Sequence, residues 1–151
     1  MSTLTCRPAT AADLPVIVAM LADDHLGAQR ESLHDLAPYE RALAAMRANP
    51  HGLQVICERD GETVGTMQLT CIPGLSRQGM TRMQIEGVRV HADYRGSGIG
   101  GDMIRWAIAC AREQGCGLVE LTTDKSRVDA HRFYERLGFV QTHLGYKLKL
   151  D

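Results

Sequence analysis

The sequence predicts an α/β layer domain, and three observations carry that expectation. Strand-like runs and amphipathic helical stripes follow one another in the order β-α-α-β-β-β-α-β-α-β. The chain has 151 residues, 44% apolar and 23% charged, which suits one globular core and is too short for two ordinary ones. No repeat, low-complexity tract or linker divides it, so a single domain is expected over residues 1–151.

Each element has its own signal. "LTCRP" (4–8) is a short strand ended by proline. Thr10 and Asp13 have the spacing of a capping box, with Asp in place of Glu, and Leu14, Ile17, Val18 and Leu21 then form a helical stripe. Residues 23–37 are polar and irregular and include His25 and His34. Pro38 suits the first turn of a second helix, whose stripe is Tyr39, Ala42, Leu43 and Met46 and which stops at Asn49-Pro50. Residues 53–70 read as a hairpin around Asp60-Gly61, a strong two-residue turn. A loop (73–79) and a strand (81–90) lead to a glycine-rich turn. The third helix carries Ile99, Met103, Ala107 and Cys110 and ends near Gly115. "LVELTT" (118–123) reads as a buried strand. Ser126 and Asp129 have capping-box spacing before a fourth stripe of Ala130, Phe133, Tyr134 and Leu137, with Gly138 at C′. "FVQTHLGYKLKL" (139–150) closes the chain as one or two strands.

Bulk properties exclude several classes. The formal charge of -1 and pI near 6.6 provide no positive field for nucleic acid or an anionic membrane. The opening "MSTLTCRPATAADL" lacks the apolar core of a signal peptide, and no apolar run approaches the ~18 residues that span a bilayer. Cys6, Cys57, Cys71, Cys110 and Cys116 are odd in number, never form C-x-x-C, and each lies in or beside an apolar segment. They read as reduced core thiols of a cytoplasmic protein, and no Cys or His pair has metal-ligand spacing.

A strand, a glycine turn and a helix N-terminus together make an anion site. Free N–H groups and the helix dipole face the ligand, and glycine keeps the approach open. Gly96, Gly98 and Gly101 satisfy G-x-G-x-x-G, yet "HADYR" separates the strand from the glycines and only about fifty residues follow, against a dinucleotide domain. No G-K-[ST] follows, so the loop is not a P-loop. A plain glycine turn joining strand to helix is the remaining structural reading.

The loop also matches a known pattern. Arg95-Gly96-Ser97-Gly98-Ile99-Gly100 resembles R/Q-x-x-G-x-G/A, the acetyl-CoA pyrophosphate loop of the GNAT superfamily of N-acetyltransferases. "VRV" (88–90) sits where that family ends its central strand, and "LTTDKSRVDAHRFYERLGF" (121–139) is similar to its strand, loop and helix with A-x-x-F-Y-x-x-x-G-F. "CRPATAADLPVI" is similar to the usual first strand and helix, so the resemblance spans essentially the whole chain. It implies a mixed, mainly antiparallel sheet flanked by helices, with two central strands splayed where pantetheine inserts.

The resemblance also implies roles. The N–H groups of Arg95, Gly96, Ser97, Gly98, Ile99 and Gly100 would hold acetyl-CoA, and backbone N–H near Val88, Arg89 and Val90 would polarise the thioester carbonyl. Asp124, Ala130 and Phe133 fall at cofactor-facing positions, although the family commonly has Asn where this chain has Asp124. Tyr134 would donate a proton to the departing thiolate. Many members carry a glutamate where this chain has Gln84, so Glu86 becomes the base, taken to share a strand face with Gln84, Val88 and Val90. A plain structural ion pair is the other reading of Glu86.

Asp23, Asp24, Glu31 and Asp35 suit a cationic acceptor, and Arg30 and Arg77 suit a carboxylate; solvated loop charge is the alternative. His143 lies near a strand end, in an acceptor-facing or a structural place. No cysteine stands out as an acyl carrier, which favours direct transfer. The expected protein is an acetyl-CoA-dependent N-acetyltransferase acting on the amine of a small molecule or amino acid, without a metal; family habit allows a homodimer. Alternatives are a protein or peptide N-acetyltransferase and a non-catalytic acetyl-CoA sensor.

Overall fold

The computed structural model describes residues 3–151, so the first two residues of the stretch read for a leader lie outside it. The chain divides into two compact units, residues up to Glu120 and residues from Leu121 onward.

The first unit is built on a sheet whose strands lie in chain order: β1 (Thr5–Pro8), β2 (Gly52–Arg59), β3 (Glu62–Ile72), β4 (Arg82–Val90) and β5 (Leu118–Leu121). The first three pairings are antiparallel. β4 returns to β5 through a helix, the crossover that makes the sheet mixed. Pro8 is tolerated because β1 is an edge strand. The β2–β3 turn is Asp60-Gly61, with φ of 53° and 78°, the positive pair that a tight two-residue hairpin requires.

Helices cover both faces. α1 (Leu14–Ala22) and α2 (Ala37–Ala48) lie on one face, where Ala9, Leu14, Ile17, Leu43 and Ile56 form a buried cluster. α3 (Ile99–Glu113) lies on the other. It buries Ile99, Met103, Ile104, Ala107 and Ala111 over strand residues of the Val55, Met67 and Ile85 layer. Each such large side chain is worth about 1.5–3 kcal/mol of transfer free energy. The capping box forms as expected: the Thr10 N–H donates to Asp13 Oδ2 at 2.8 Å. Asp13 is nearly buried and receives both Nη groups of Arg7, at 2.8 and 2.9 Å. That guanidinium, more than the Thr10 N–H, holds the Asp13 carboxyl down at about 2.

One departure matters for the site. Gln68 faces Glu86, but Thr66 faces Arg89, so three steps along β4 match two along β3. The extra residue makes a bulge at Gly87, whose φ is +59°. Strict alternation fails there. Glu86 shares its face with Gln84 and Arg89, whereas Val88 and Val90 fall on the opposite side, which corrects the expected grouping of Gln84, Glu86, Val88 and Val90.

The second unit holds α4 (Val128–Arg136). Its stripe residues Ala130, Phe133, Tyr134 and Leu137 are half-buried, and most of the intervening side chains are exposed. Gly138 (φ 97°) ends it as expected. The Phe139 N–H reaches the Tyr134 carbonyl at 3.1 Å and the Gly138 N–H reaches that of Glu135 at 3.0 Å, the double bond of a Schellman ending. The Ser126–Asp129 box does not form. Asp124 Oδ1 instead accepts the Ser126 N–H at 2.9 Å and its hydroxyl at 2.8 Å, closing the turn that leads into the helix. The closing strands expected over 139–150 are absent as well. That stretch has no regular element, and Val140, Leu144, Tyr146, Leu148 and Leu150 are exposed. Alternation assigns side chains to faces, but a strand also needs a backbone partner.

Candidate active site

The end of β4, the turn after it and the head of α3 form one backbone feature. After β4 a short 3-10 turn (Ala92–Tyr94) carries the chain to Arg95. Gly96 and Gly98 have φ of +80° and +82°, and Gly98 caps α3. A Cβ at either would meet nothing within 4 Å, so the loop opens outward. The N–H groups of residues 96–101 have no acceptor among the described residues; the first α3 bond that reaches outside the helix is Asp102 N–H to Gly98 carbonyl, at 3.2 Å. Six donors at the positive end of a 15-residue helix make an anion cradle. The cradle fits a pyrophosphate, with open space where side chains would block it.

Arg95 differs from the expectation. Its N–H closes the preceding turn on the Ala92 carbonyl at 3.4 Å, so it is not among the unengaged donors. Its guanidinium turns back to Asp23 Oδ2 at 3.0 Å and to the Val90 carbonyl at 3.3 Å. Arg95 thus braces the loop between β4 and the end of α1. Arg89 repeats the theme: it lies 3.5 Å from Asp24 and donates to the Val88 carbonyl at 2.9 Å. Asp24 also accepts the N–H groups of Leu26 and Gly27, at 3.0 and 2.6 Å, and so seats the helical turn Gly27–Arg30.

The acidic residues expected to meet a cationic acceptor are therefore engaged with the protein. Asp23 and Asp24 hold arginines, Glu31 accepts the Tyr39 hydroxyl at 2.9 Å, and Asp35 accepts the Ala37 N–H at 3.1 Å at the start of α2. Asp23 and Asp24 thus have a bracing role, while Glu31 and Asp35 each hold one local hydrogen bond. The Arg89 and Asp24 braces were missed because their pairing needs the Gly87 bulge, which turns Arg89 to the α1 face.

β4 is open on its other side. The Gly117 N–H meets the Thr81 carbonyl at 2.8 Å, and β5 has only four residues, so it flanks only the first half of the nine-residue β4. Four residues cannot flank all nine, so among the described residues β4 runs on past β5. Glu86 is exposed, and Gln84, Val88, Arg89 and Val90 are part-buried. In the second unit, Tyr134 stacks edge-on between Phe133 (centroids 4.9 Å) and Phe139 (5.7 Å), and Ala130 lies on the same helix face. Asp124 spends one carboxylate oxygen on its own turn, and its carbonyl meets His131 Nε2 at 3.1 Å. His143 is exposed beside the Thr142 hydroxyl, 2.6 Å away. A separate cleft of about 210 Å³ between α2 and the head of β2 offers Arg47 as its one charged side chain and no helix N-terminus. It carries none of this chemistry. No cluster of three metal-ligating side chains occurs among the described residues.

The model of the acetyltransferase (GNAT) family matches residues 18–139. The chain belongs to that family. As a GNAT protein it is an acetyltransferase. An aminoalkylphosphonate N-acetyltransferase of Salmonella typhimurium is 33% identical over 112 residues, 74% of this chain and 72% of that one. A solved structure described as a transcriptional regulator from Bacillus halodurans is 44% identical, with a TM-score of 0.93 over 98% of this chain and all (100%) of that one. An acetyltransferase structure from Trypanosoma brucei is 26% identical, with a TM-score of 0.78 over 98% of this chain and 100% of that one. The GNAT fold and its mixed, open sheet are thus the fold of this chain.

Proposed function

We propose that this GNAT acetyltransferase moves an acetyl group from acetyl-CoA directly to the primary amine of a small molecule. One observation carries the donor half of the reading: six N–H groups without acceptors converge at the head of α3, beside the bulged and unflanked end of β4. The acceptor half is supported by the Salmonella relative, which is named for a small amine.

Acetyl-CoA, when bound, supplies the activated thioester. The N–H groups of Gly96 to Gly101 hold its pyrophosphate, and backbone N–H near Val88, Arg89 and Val90, just past the bulge, meets the developing oxyanion. Glu86, exposed on the α1 face of β4, draws in the acceptor ammonium and takes its proton directly or through water. The Tyr134 hydroxyl returns a proton to the departing sulfur. Arg95 and Arg89 act through the backbone they brace. The same reading makes residues 1–151 one catalytic domain working in the cytoplasm, in keeping with the absence of any described helix long and apolar enough to cross a membrane.

A thiol-release assay with acetyl-CoA tests it against aminoalkylphosphonates, amino acids, aminoglycosides and short peptides. Turnover of small amines above peptides is the expected result. Turnover of peptides alone would replace the acceptor, and tight CoA binding without turnover of any amine would remove the catalytic reading.

A further inference from the structure

Four of the five cysteines stand in the first unit as two thiol pairs that acyl transfer does not use. Cys6 on β1 and Cys57 on β2 are direct partners in the ladder. The Ala9 N–H donates to the Gln54 carbonyl at 2.8 Å, marking that pair as hydrogen-bonded. Bonded and non-bonded pairs alternate along an antiparallel ladder, so Cys6–Cys57, three residues back, is a non-bonded pair. Cα atoms in such pairs lie about 4.5 Å apart, inside the range of roughly 4.4–6.8 Å that a disulfide spans. The two Sγ atoms are already 2.8 Å apart.

We propose that Cys6 and Cys57 form a reversible oxidation site, closing to a disulfide that pins edge strand β1 to β2 when the protein meets a peroxide. Cys6 is the half-exposed member and Cys57 is fully buried, which sets the order of events. The contact between the two thiols lowers the Cys6 thiol and, as the main cause, raises that of Cys57. The Cys6 thiolate attacks one peroxide oxygen: an S–O bond forms, the O–O bond breaks, and the leaving hydroxide takes a proton and departs as water. The Cys57 sulfur then displaces hydroxyl from the Cys6 sulfenic acid: the S–S bond forms, the S–O bond breaks, and the Cys57 proton leaves in a second water. The two thiols supply the two electrons that the peroxide accepts.

The second pair is the internal control. Cys71 and Cys116 stand 3.7 Å apart, but burial, ahead of the contact with Cys71, pushes the Cys116 thiol up to about 11, which starves it of thiolate. Burial also raises Cys110. The sulfurs of Cys6 and Cys57 are also the closer pair, 2.8 Å against 3.7 Å, so oxidation should close that pair first. The effect on the fold follows from position: a four-residue edge strand opens locally before the rest of a sheet, and a covalent tie at Cys6 blocks that opening.

The test treats the full-length protein with a small excess of hydrogen peroxide, then maps peptides without reduction. Expected are a fall from five free thiols to three, a single Cys6–Cys57 linked peptide, and full reversal by a phosphine reductant. Exchange of the Ala9 N–H should slow about tenfold, and Tm should rise by roughly 5–10 °C. Cys6→Ser, which spares the buried core, should abolish the linked peptide and both shifts. A Cys71–Cys116 bond as the first product, a disulfide between molecules through Cys6, or Cys6 carried on to sulfinic acid without a linked peptide would each overturn the proposal.

Discussion

Two tight turns in this protein look alike and do opposite work. The Asp60-Gly61 turn and the Gly96–Gly98 loop both depend on glycine at positive φ, and in both a Cβ on the glycine would meet nothing within 4 Å. In the hairpin the flanking residues are ladder partners, Arg59 with Glu62, so the turn closes on itself. In the loop the donors from residue 96 to 101 have no acceptor among the described residues. Positive φ alone therefore marks a turn; positive φ together with orphaned donors at a helix head marks a place for an anion.

Substitution at Gly98 should draw the sharpest line between the two. Gly98→Val forces a β-branched residue into the left-handed region and tilts the donors of α3; acetyl-CoA affinity should fall at least about 100-fold by calorimetry, with circular dichroism unchanged. Retained affinity would break the contrast. Tyr134→Phe separates grip from chemistry: kcat should fall about 100-fold while CoA affinity holds, read across a pH series. Unchanged turnover at every pH would remove Tyr134 as the acid.

Asp13 extends the contrast to a polar group that is fully partnered. Its carboxyl sits at about 2 in the fold against an ordinary 3.8, first because Arg7 donates to it. A depressed folded value means the contribution is complete above the unfolded value and fades as pH falls through 2. Arg7 is partly exposed, so Asp13→Asn should cost only about 1–2 kcal/mol at pH 7 and flatten the acid limb of wild-type stability between pH ~4 and ~2, by urea melts. Gly61→Ala should have the smallest effect, about 1 kcal/mol and roughly 2–4 °C in Tm, with CoA affinity untouched. A loss of affinity there would show that strain in any glycine turn suffices.

Much of this molecule was legible from residue order. The hairpin at Asp60-Gly61, the Thr10–Asp13 box, the stripe of α3 and the Gly138 ending all formed where local signals placed them. Those signals act over a few residues, and the structure adds nothing that competes with them. Where two local options did compete, reading failed: Asp124, not Ser126, closes the turn before α4. It failed again over residues 139–150, where alternation was present without a partner strand.

By itself the sequence determined the glycine cradle and the family, because backbone freedom and helix polarity are properties of consecutive residues. Only the tertiary structure decided which side of β4 each residue faces, and with it the engagement of Asp23 and Asp24 by two arginines. One residue inserted at Gly87 reverses every later side chain on that strand, and whether it is inserted depends on a neighbouring strand in register with it. The meeting of Cys6 with Cys57 belongs to the same class: fifty-one residues separate them, and only the ladder brings the two sulfurs together.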